Sequence, residues 1–186
     1  FVVSPPPAYV ISNYNRVFGI SPPHPWRIRR GQDPNWVKFY GQRETSGGYF
    51  TSGCGTEIYR AVMFPRKYHG NLFCCEPSNN VIHRSLITRD GAGYRARRAK
   101  AEEQSEFLAS AAPWFRPVNL PVGPTGDLYI VDMYREIIED YSAIPRFLQQ
   151  QYGLDRGSDH GRIWRLVPTG HPSRELVDFS QWTGKQ

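Results

Sequence analysis

The chain has 186 residues and a mass of 21.4 kDa, enough for one sizeable core and too little for several independent domains. Glycine and proline together number 33, which excludes a helical bundle or a coiled coil, and 26 aromatic residues argue against wholesale disorder. The formal net charge is +6, with 19 Arg against 4 Lys. Because Arg is preferred where a planar group must bind carboxylates or backbone oxygens, we expect most arginines to be structural and expect no nucleic-acid partner.

The first 50 residues are rich in proline and glycine and predict a loop region packed on a scaffold, with short strands at 8–11 and 16–20. The chain opens with FVVSPPP, without an initiator Met or a signal-peptide pattern, so we interpret it as an internal piece of a longer product, or as a processed or partial chain. Residues 169–186 are expected to be a C-terminal extension or linker.

An internal repeat organises residues 51–168. Residues 70–76 (GNLFCCE) match residues 126–132 (GDLYIVD) at an offset of 56 residues: glycine, a small polar residue, leucine, an aromatic, two apolar residues and a carboxylate. Each copy is preceded by a predicted inner strand and followed by a strand with a basic residue near its centre. These flanking strands are predicted at 54–59 and 80–87 for the first copy, and at 116–120 and 161–167 for the second.

Such units are typical of β-propeller blades, which makes the predicted fold class mainly β. The two blades would span about 54–87 and 116–167, and they would form part of a larger ring, about two to three blades of it, because a propeller generally needs four or more. Short helices are predicted at 99–110, 136–141 and 144–152, in the loops between blades. The alternative fold is a sandwich that contains two unrelated β-hairpins.

Three cysteines, Cys54, Cys74 and Cys75, leave two interpretations open. They are buried free thiols, or Cys54 and Cys75 form a disulfide in an oxidising compartment. They form no CxxC or CxxCH motif, and the histidines lack metal-site spacing, so we predict no metal site.

The strand ends carry the candidate functional residues. Glu76 and Asp132 end the two repeat copies, where a carboxylate can accept a proton, bind a cation or anchor a loop. Arg60 and Arg116 flank apolar strand residues and would need partners if buried, either these carboxylates or an anionic or quinone-like ligand. Arg135 follows Asp132 and is the fifth candidate.

Three longer strings resemble a known family. They are residues 56–60 (TEIYR) continuing to 70–77 and 80–84, residues 106–110 (EFLAS) with 114–120 (WFRPVNL), and residues 127–135 (DLYIVDMYR) with 161–165 (GRIWR). Together they resemble the membrane-bound dehydrogenase domain of planctomycete-type haem-binding proteins, which is related to the glucose/sorbosone dehydrogenase propellers.

The resemblance implies a fragment of an exported propeller oxidoreductase in the periplasm or cell envelope. A sugar or alcohol would be oxidised in the propeller channel, and electrons would pass to a c-type haem elsewhere in the parent protein. Arg60, Arg116 and Arg135 would bind anionic groups, while Glu76 and Asp132 would fix cations or orient those arginines. The fragment itself is expected to bind no cofactor, whereas the parent would use c-type haem, a quinone cofactor or calcium.

The expected partners are the remaining blades or other subunits of a larger complex, and a c-type cytochrome. The main alternative function is a non-catalytic propeller that serves as a scaffold or docking subunit of a cell-envelope complex. A weaker alternative is carbohydrate hydrolysis by Glu76 and Asp132, which requires the two carboxyl groups within about 5–10 Å of each other.

Overall fold

The computed structural model describes residues 16–35, 38, 48–138, 144–170, 178 and 180. Its elements are mostly short strands, and their bounds follow in chain order. They are α1 (Pro25–Gly31), β1 (Cys54–Ile58), β2 (Leu72–Glu76), β3 (Val81–Asp90), β4 (Gly93–Arg98), β5 (Leu108–Ala109), β6 (Pro117–Asn119), β7 (Leu128–Asp132), α2 (Arg146–Gln151) and β8 (Arg162–Leu166), with 3-10 turns at Arg66–Tyr68 and Lys100–Glu102. The chain is therefore mainly β, as predicted.

Sheet 1 is an antiparallel meander in the order β1-β2-β3-β4. The short strand β5 pairs with the beginning of β3, on the edge that β4 occupies further along. Sheet 2 is a second antiparallel meander, in the order β6-β7-β8.

The internal repeat is present in three dimensions. In sheet 1, Phe73 pairs with Arg84, and in sheet 2 the equivalent Tyr129 pairs with Arg165. All six strands of the predicted repeat form, and their ends lie within three residues of the predicted bounds.

The hydrophobic core lies between the two sheets. In β2 the buried apolar side chains are Phe73 and Cys75, whereas in β7 they are Leu128 and Ile130. When the two copies of the repeat are aligned, the buried positions of β7 are shifted by one residue from those of β2. Because successive strand residues point to opposite faces, the two sheets pack against each other through opposite faces of the same repeat. Their first strands, β1 and β6, lie side by side.

The predicted helix at 99–110 is wrong, since only the 3-10 turn Lys100–Glu102 forms before β5. Long-range contacts outweigh the helix-forming composition: Glu102 binds Arg84, and Leu108 pairs with Ile82.

The helix prediction at 144–152 is confirmed, because α2 begins after Pro145 and ends before Gly153, whose φ of +63° suits glycine. Residues 136–138 are not helical, and residues 139–141 of that predicted helix lie outside the described residues. This helix lies in the connection from β7 to β8, both strands of sheet 2, and not in the connection between the two sheets.

Predictions for the first 50 residues hold only in part. The strand at 16–20 reduces to a single bridge between Arg16 and Tyr49, and the strand at 8–11 lies outside the described residues. Helix α1 was not predicted, nor was β4, whose six residues are mostly exposed.

The three cysteines are free thiols, although Cys54 and Cys75 face each other across β1 and β2. Only Cys75 is buried and the other two are half-buried, so the interpretation as buried free thiols holds in part. Burial is the main cause that raises the pKa of the Cys74 thiol, to about 11, and it also raises the pKa of Cys75. Among the described helices, none has both the length and the apolar character needed to cross a membrane.

Candidate functional site

Four of the five predicted site residues lie at one end of the two sheets. Glu76 ends β2 and Asp132 ends β7, while Arg116 immediately precedes β6, which pairs with β7 there. Arg135 follows β7. We call Glu76, Arg116, Asp132 and Arg135 the strand-end cluster. Arg60 is not part of it: it is exposed and lies beyond β1, at the opposite end of the β1–β2 pair.

Glu76 is fully buried and holds the segment that leads into β1. Its carboxylate accepts hydrogen bonds from the backbone N–H groups of Ser52, at 2.9 Å, and Thr51, at 3.3 Å, and from the Asn79 amide. Burial raises the pKa of Glu76 above its ordinary value, although these hydrogen bonds and the nearby Arg27 charge oppose that shift. The carboxylate therefore anchors a loop.

Asp132 holds the equivalent position in sheet 2 and is also buried. Oδ1 accepts hydrogen bonds from the backbone N–H groups of Arg116, at 2.8 Å, and Tyr134, at 2.9 Å. Oδ2 accepts hydrogen bonds from Arg162 Nε, at 2.8 Å, and from the Trp164 indole N–H, at 3.0 Å. With both oxygens bonded, Asp132 joins the beginning of β6 to the end of β7 and to β8.

Arg116 connects the two sheets at this end. Its guanidinium donates to the carbonyl of Pro77, at 2.7 Å, in the turn after β2. It also donates to the carbonyls of Arg135, at 3.0 Å, and Glu136, in the loop after β7. Neither of the two carboxylate partners considered for Arg116, Glu76 or Asp132, pairs with its guanidinium, because backbone carbonyls take that place; Asp132 binds the Arg116 backbone N–H instead.

Arg135 fixes the loop that precedes β8. Its guanidinium donates to the carbonyls of Met133, at 2.8 Å, and His160, at 3.0 Å, and to those of Gly157 and Ser158. The expectation that most arginines are structural is confirmed for both arginines of the cluster.

A further repeated polar pair was not identified as such from the sequence. Asn71 accepts a hydrogen bond from Arg84, at 2.9 Å, and the equivalent Asp127 accepts one from Arg165. Both members of the pair can be seen in the sequence: one is the small polar residue of the repeat, and the other is the basic residue of the following strand. Only the strand register shows that they meet.

The space within the strand-end cluster is small. A pocket beside Arg116, also lined by His24, Arg27 and Pro77, has a volume of about 20 Å³, room for about one water molecule. Pockets for drug-sized ligands have about 300–1,000 Å³. In the part of the chain that the structure describes, no group of three or more His, Cys, Asp or Glu side chains could hold a metal ion. The side chains of the cluster mainly bind backbone groups, and both carboxylates accept hydrogen bonds from donors of the chain itself.

Fold and cluster together define a mainly β protein of two consecutive antiparallel meanders, tied at one end by buried polar side chains. Residues 8–170 match a family described as a domain of unknown function, DUF7133. The match covers most of the chain, so the chain belongs to this family. No curated protein and no solved structure matches the chain.

Proposed function

We propose that this domain is a two-blade section of a β-propeller and acts as a scaffold. The strand-end cluster would fix the loops at one face of the ring, so that these loops can dock to the rest of the protein or to other subunits of a cell-envelope assembly.

The observation that carries the propeller proposal is the reversal of the burial pattern. In a propeller every blade turns one face to the preceding blade and the other face to the following blade. Sheet 1 contributes Phe73 and Cys75 to the shared core, whereas sheet 2 contributes the opposite face of the same repeat, with Leu128 and Ile130. The contact between β1 and β6 also supports it, since the first strand of each blade lines the ring axis.

The use of the cluster side chains supports a structural role. Glu76 and Asp132 are buried and bind backbone N–H groups, and Arg116 binds three backbone carbonyls. A group that reacts with a substrate needs a free atom that the substrate can reach. These contacts do not favour proton transfer or glycoside hydrolysis by the two carboxylates.

The dehydrogenase hypothesis stays a prediction about the parent protein. In that hypothesis an exported enzyme oxidises a sugar or alcohol and passes electrons to a c-type haem, with a quinone cofactor or calcium as further candidates. Its reacting groups would come from residues outside the strand-end cluster.

Asp132→Asn tests the scaffold role. Loss of the charge weakens the bonds from Arg162 and Trp164 to this buried carboxylate, and hydrogen bonds to a charged group contribute about 1.5–3 kcal/mol. We expect urea unfolding to show a loss approaching that size, while Asp159→Asn, at an exposed site, leaves the midpoint unchanged.

Dye-linked dehydrogenase turnover of the full-length protein, with sugars and alcohols, is measured in parallel. If turnover is present, we expect its value per folded molecule to be the same in Asp132→Asn and wild type. Turnover abolished in a variant with wild-type stability would place Asp132 in a catalytic site and refute the proposal.

A further inference from the structure

A second polar cluster lies on the face of sheet 1 that points away from the core. Ser85 Oγ lies 2.9 Å from His83 Nε2, and His83 Nδ1 lies 2.8 Å from the Glu106 carboxylate. Hydroxyl, imidazole and carboxylate thus form one continuous line of hydrogen bonds. A nucleophile, its base and an orienting carboxylate have this geometry in enzymes with an activated serine.

The fold brings these three residues together from two segments. His83 and Ser85 are two positions apart on β3, so their side chains share one face of the sheet. Glu106 lies in the segment between β4 and β5, where the sequence predicts a helix; the backbone there is not helical, and the Glu106 side chain contacts His83. The Phe50 ring packs edge-on against the imidazole, with 5.1 Å between ring centroids.

Glu106 is held as a carboxylate. Its side chain is fully buried, and burial raises its pKa, but hydrogen bonds from His83, Arg98 and the Phe18 backbone N–H outweigh burial and bring the pKa below its ordinary value. An ionised carboxylate can only accept at His83 Nδ1, so Nδ1 carries a proton. The lone pair of neutral His83 is then on Nε2, facing the Ser85 hydroxyl.

We propose that Ser85 is an activated nucleophile, with His83 as its general base and Glu106 as a positioning residue, and that it accepts acyl groups from small carboxylic esters. Ser85 is 7% exposed and the His83 side chain 12% exposed, so only small acyl groups such as acetyl fit the proposal. A preceding blade would cover this face of sheet 1, so the activity is proposed for the chain with this face uncovered. This activity goes beyond the scaffold function and uses none of the strand-end cluster.

The chemistry needs no cofactor. Ser85 Oγ attacks the ester carbonyl carbon while its proton passes to His83 Nε2. The C–O bond to the alcohol then breaks, and the leaving oxygen takes that proton. A water molecule, deprotonated by His83, attacks the acyl-serine in the second half of the reaction, which releases the carboxylic acid and restores the Ser85 hydroxyl.

The test is hydrolysis of p-nitrophenyl acetate by the full chain, with peptide mapping of the acetylated protein and of protein treated with a fluorophosphonate probe. We expect both reagents to modify Ser85. Ser85→Ala and His83→Gln should lower the hydrolysis rate by about 100-fold or more, the usual contribution of a general base. The matched control Ser158→Ala, at an exposed serine without a histidine partner, should leave the rate unchanged.

Glu106→Gln separates a positioning role from a structural one. Its removal of a buried negative charge disfavours a protonated imidazole, so the pH at which the labelling rate reaches half its maximum should fall. Absence of an adduct on Ser85 in the wild-type protein would overturn the proposal, as would full hydrolysis by folded Ser85→Ala. Either result would leave the network as a structural tie between β3 and the 16–18 segment.

Discussion

Two buried glutamates show that burial alone does not decide which protonation state the fold favours. Desolvation is the largest cause acting on both, yet the pKa of Glu76 is raised while that of Glu106 is lowered. The difference lies in the donors: Glu76 is bound mainly by neutral N–H groups, whereas Glu106 is bound by the Arg98 guanidinium and by His83. A hydrogen bond from a charged donor, here Arg98, is roughly twice as strong as one from a neutral donor.

These opposite shifts predict opposite pH dependences of stability. The contribution of Glu106 is present above its unfolded pKa, about 4.3, and is lost as the pH falls through its lower folded pKa. The contribution of Glu76 is present below about pH 4.3 and is lost as the pH rises through its raised folded pKa. Each unit between folded and unfolded pKa corresponds to about 1.4 kcal/mol.

The measurement is the free energy of unfolding of wild type, Glu106→Gln and Glu76→Gln between pH 3 and 7. The difference between wild type and Glu106→Gln should grow with rising pH, and the difference between wild type and Glu76→Gln should shrink. Differences that follow pH in the same direction would show that the assigned donors do not set these pKa values.

At the scale of the element, the sequence predicts strands where a pattern repeats and fails where long-range contacts decide. The six repeat strands could be predicted because glycine, leucine and carboxylate recur at fixed spacing. The 99–110 segment could not, because its composition favours a helix while Glu102 and Glu106 bind side chains of β3. The same limit applies to the candidate site. Arg60 and Arg116 both flank apolar strand residues, but Arg60 follows β1 and Arg116 precedes β6, which places them at opposite ends of the sheets.

The contact between β1 and β6 depends on Gly55. It has a φ of +52°, and a Cβ there would lie 2.3 Å from the Val118 carbonyl oxygen and 2.6 Å from Asn119 Cα. Gly91, in the turn between β3 and β4, has a similar φ of +59° and open space around it. The two glycines therefore separate the conformational cost of a side chain from the cost of a clash between sheets.

We expect Gly91→Ala to lower the free energy of unfolding by about 1 kcal/mol, the cost of a left-handed conformation. Gly55→Ala should cost about 3 kcal/mol or more, because backbone atoms of β6 would have to move. Urea unfolding of both variants measures the difference. Equal losses would mean that the two first strands do not pack as closely as described.

At the scale of the whole molecule, the two sheets form one unit through a shared apolar core and a polar connection at one end. The core can be predicted in outline from the repeat, since each copy buries two of its four apolar positions. Which face of each sheet is buried could not be predicted, because the two copies use opposite faces. The polar connection is Arg116, which ties the turn after β2 to the loop after β7.

The stability of Arg116→Gln, compared with Arg60→Gln, tests this account most directly. Loss of the guanidinium removes donors from the carbonyls of Pro77, Arg135 and Glu136, at about 1–3 kcal/mol for each buried group left unsatisfied. We predict that Arg116→Gln lowers the free energy of unfolding by about 3 kcal/mol or more, and that exposed Arg60→Gln changes it by less than about 0.5 kcal/mol. Wild-type stability in Arg116→Gln would contradict the account.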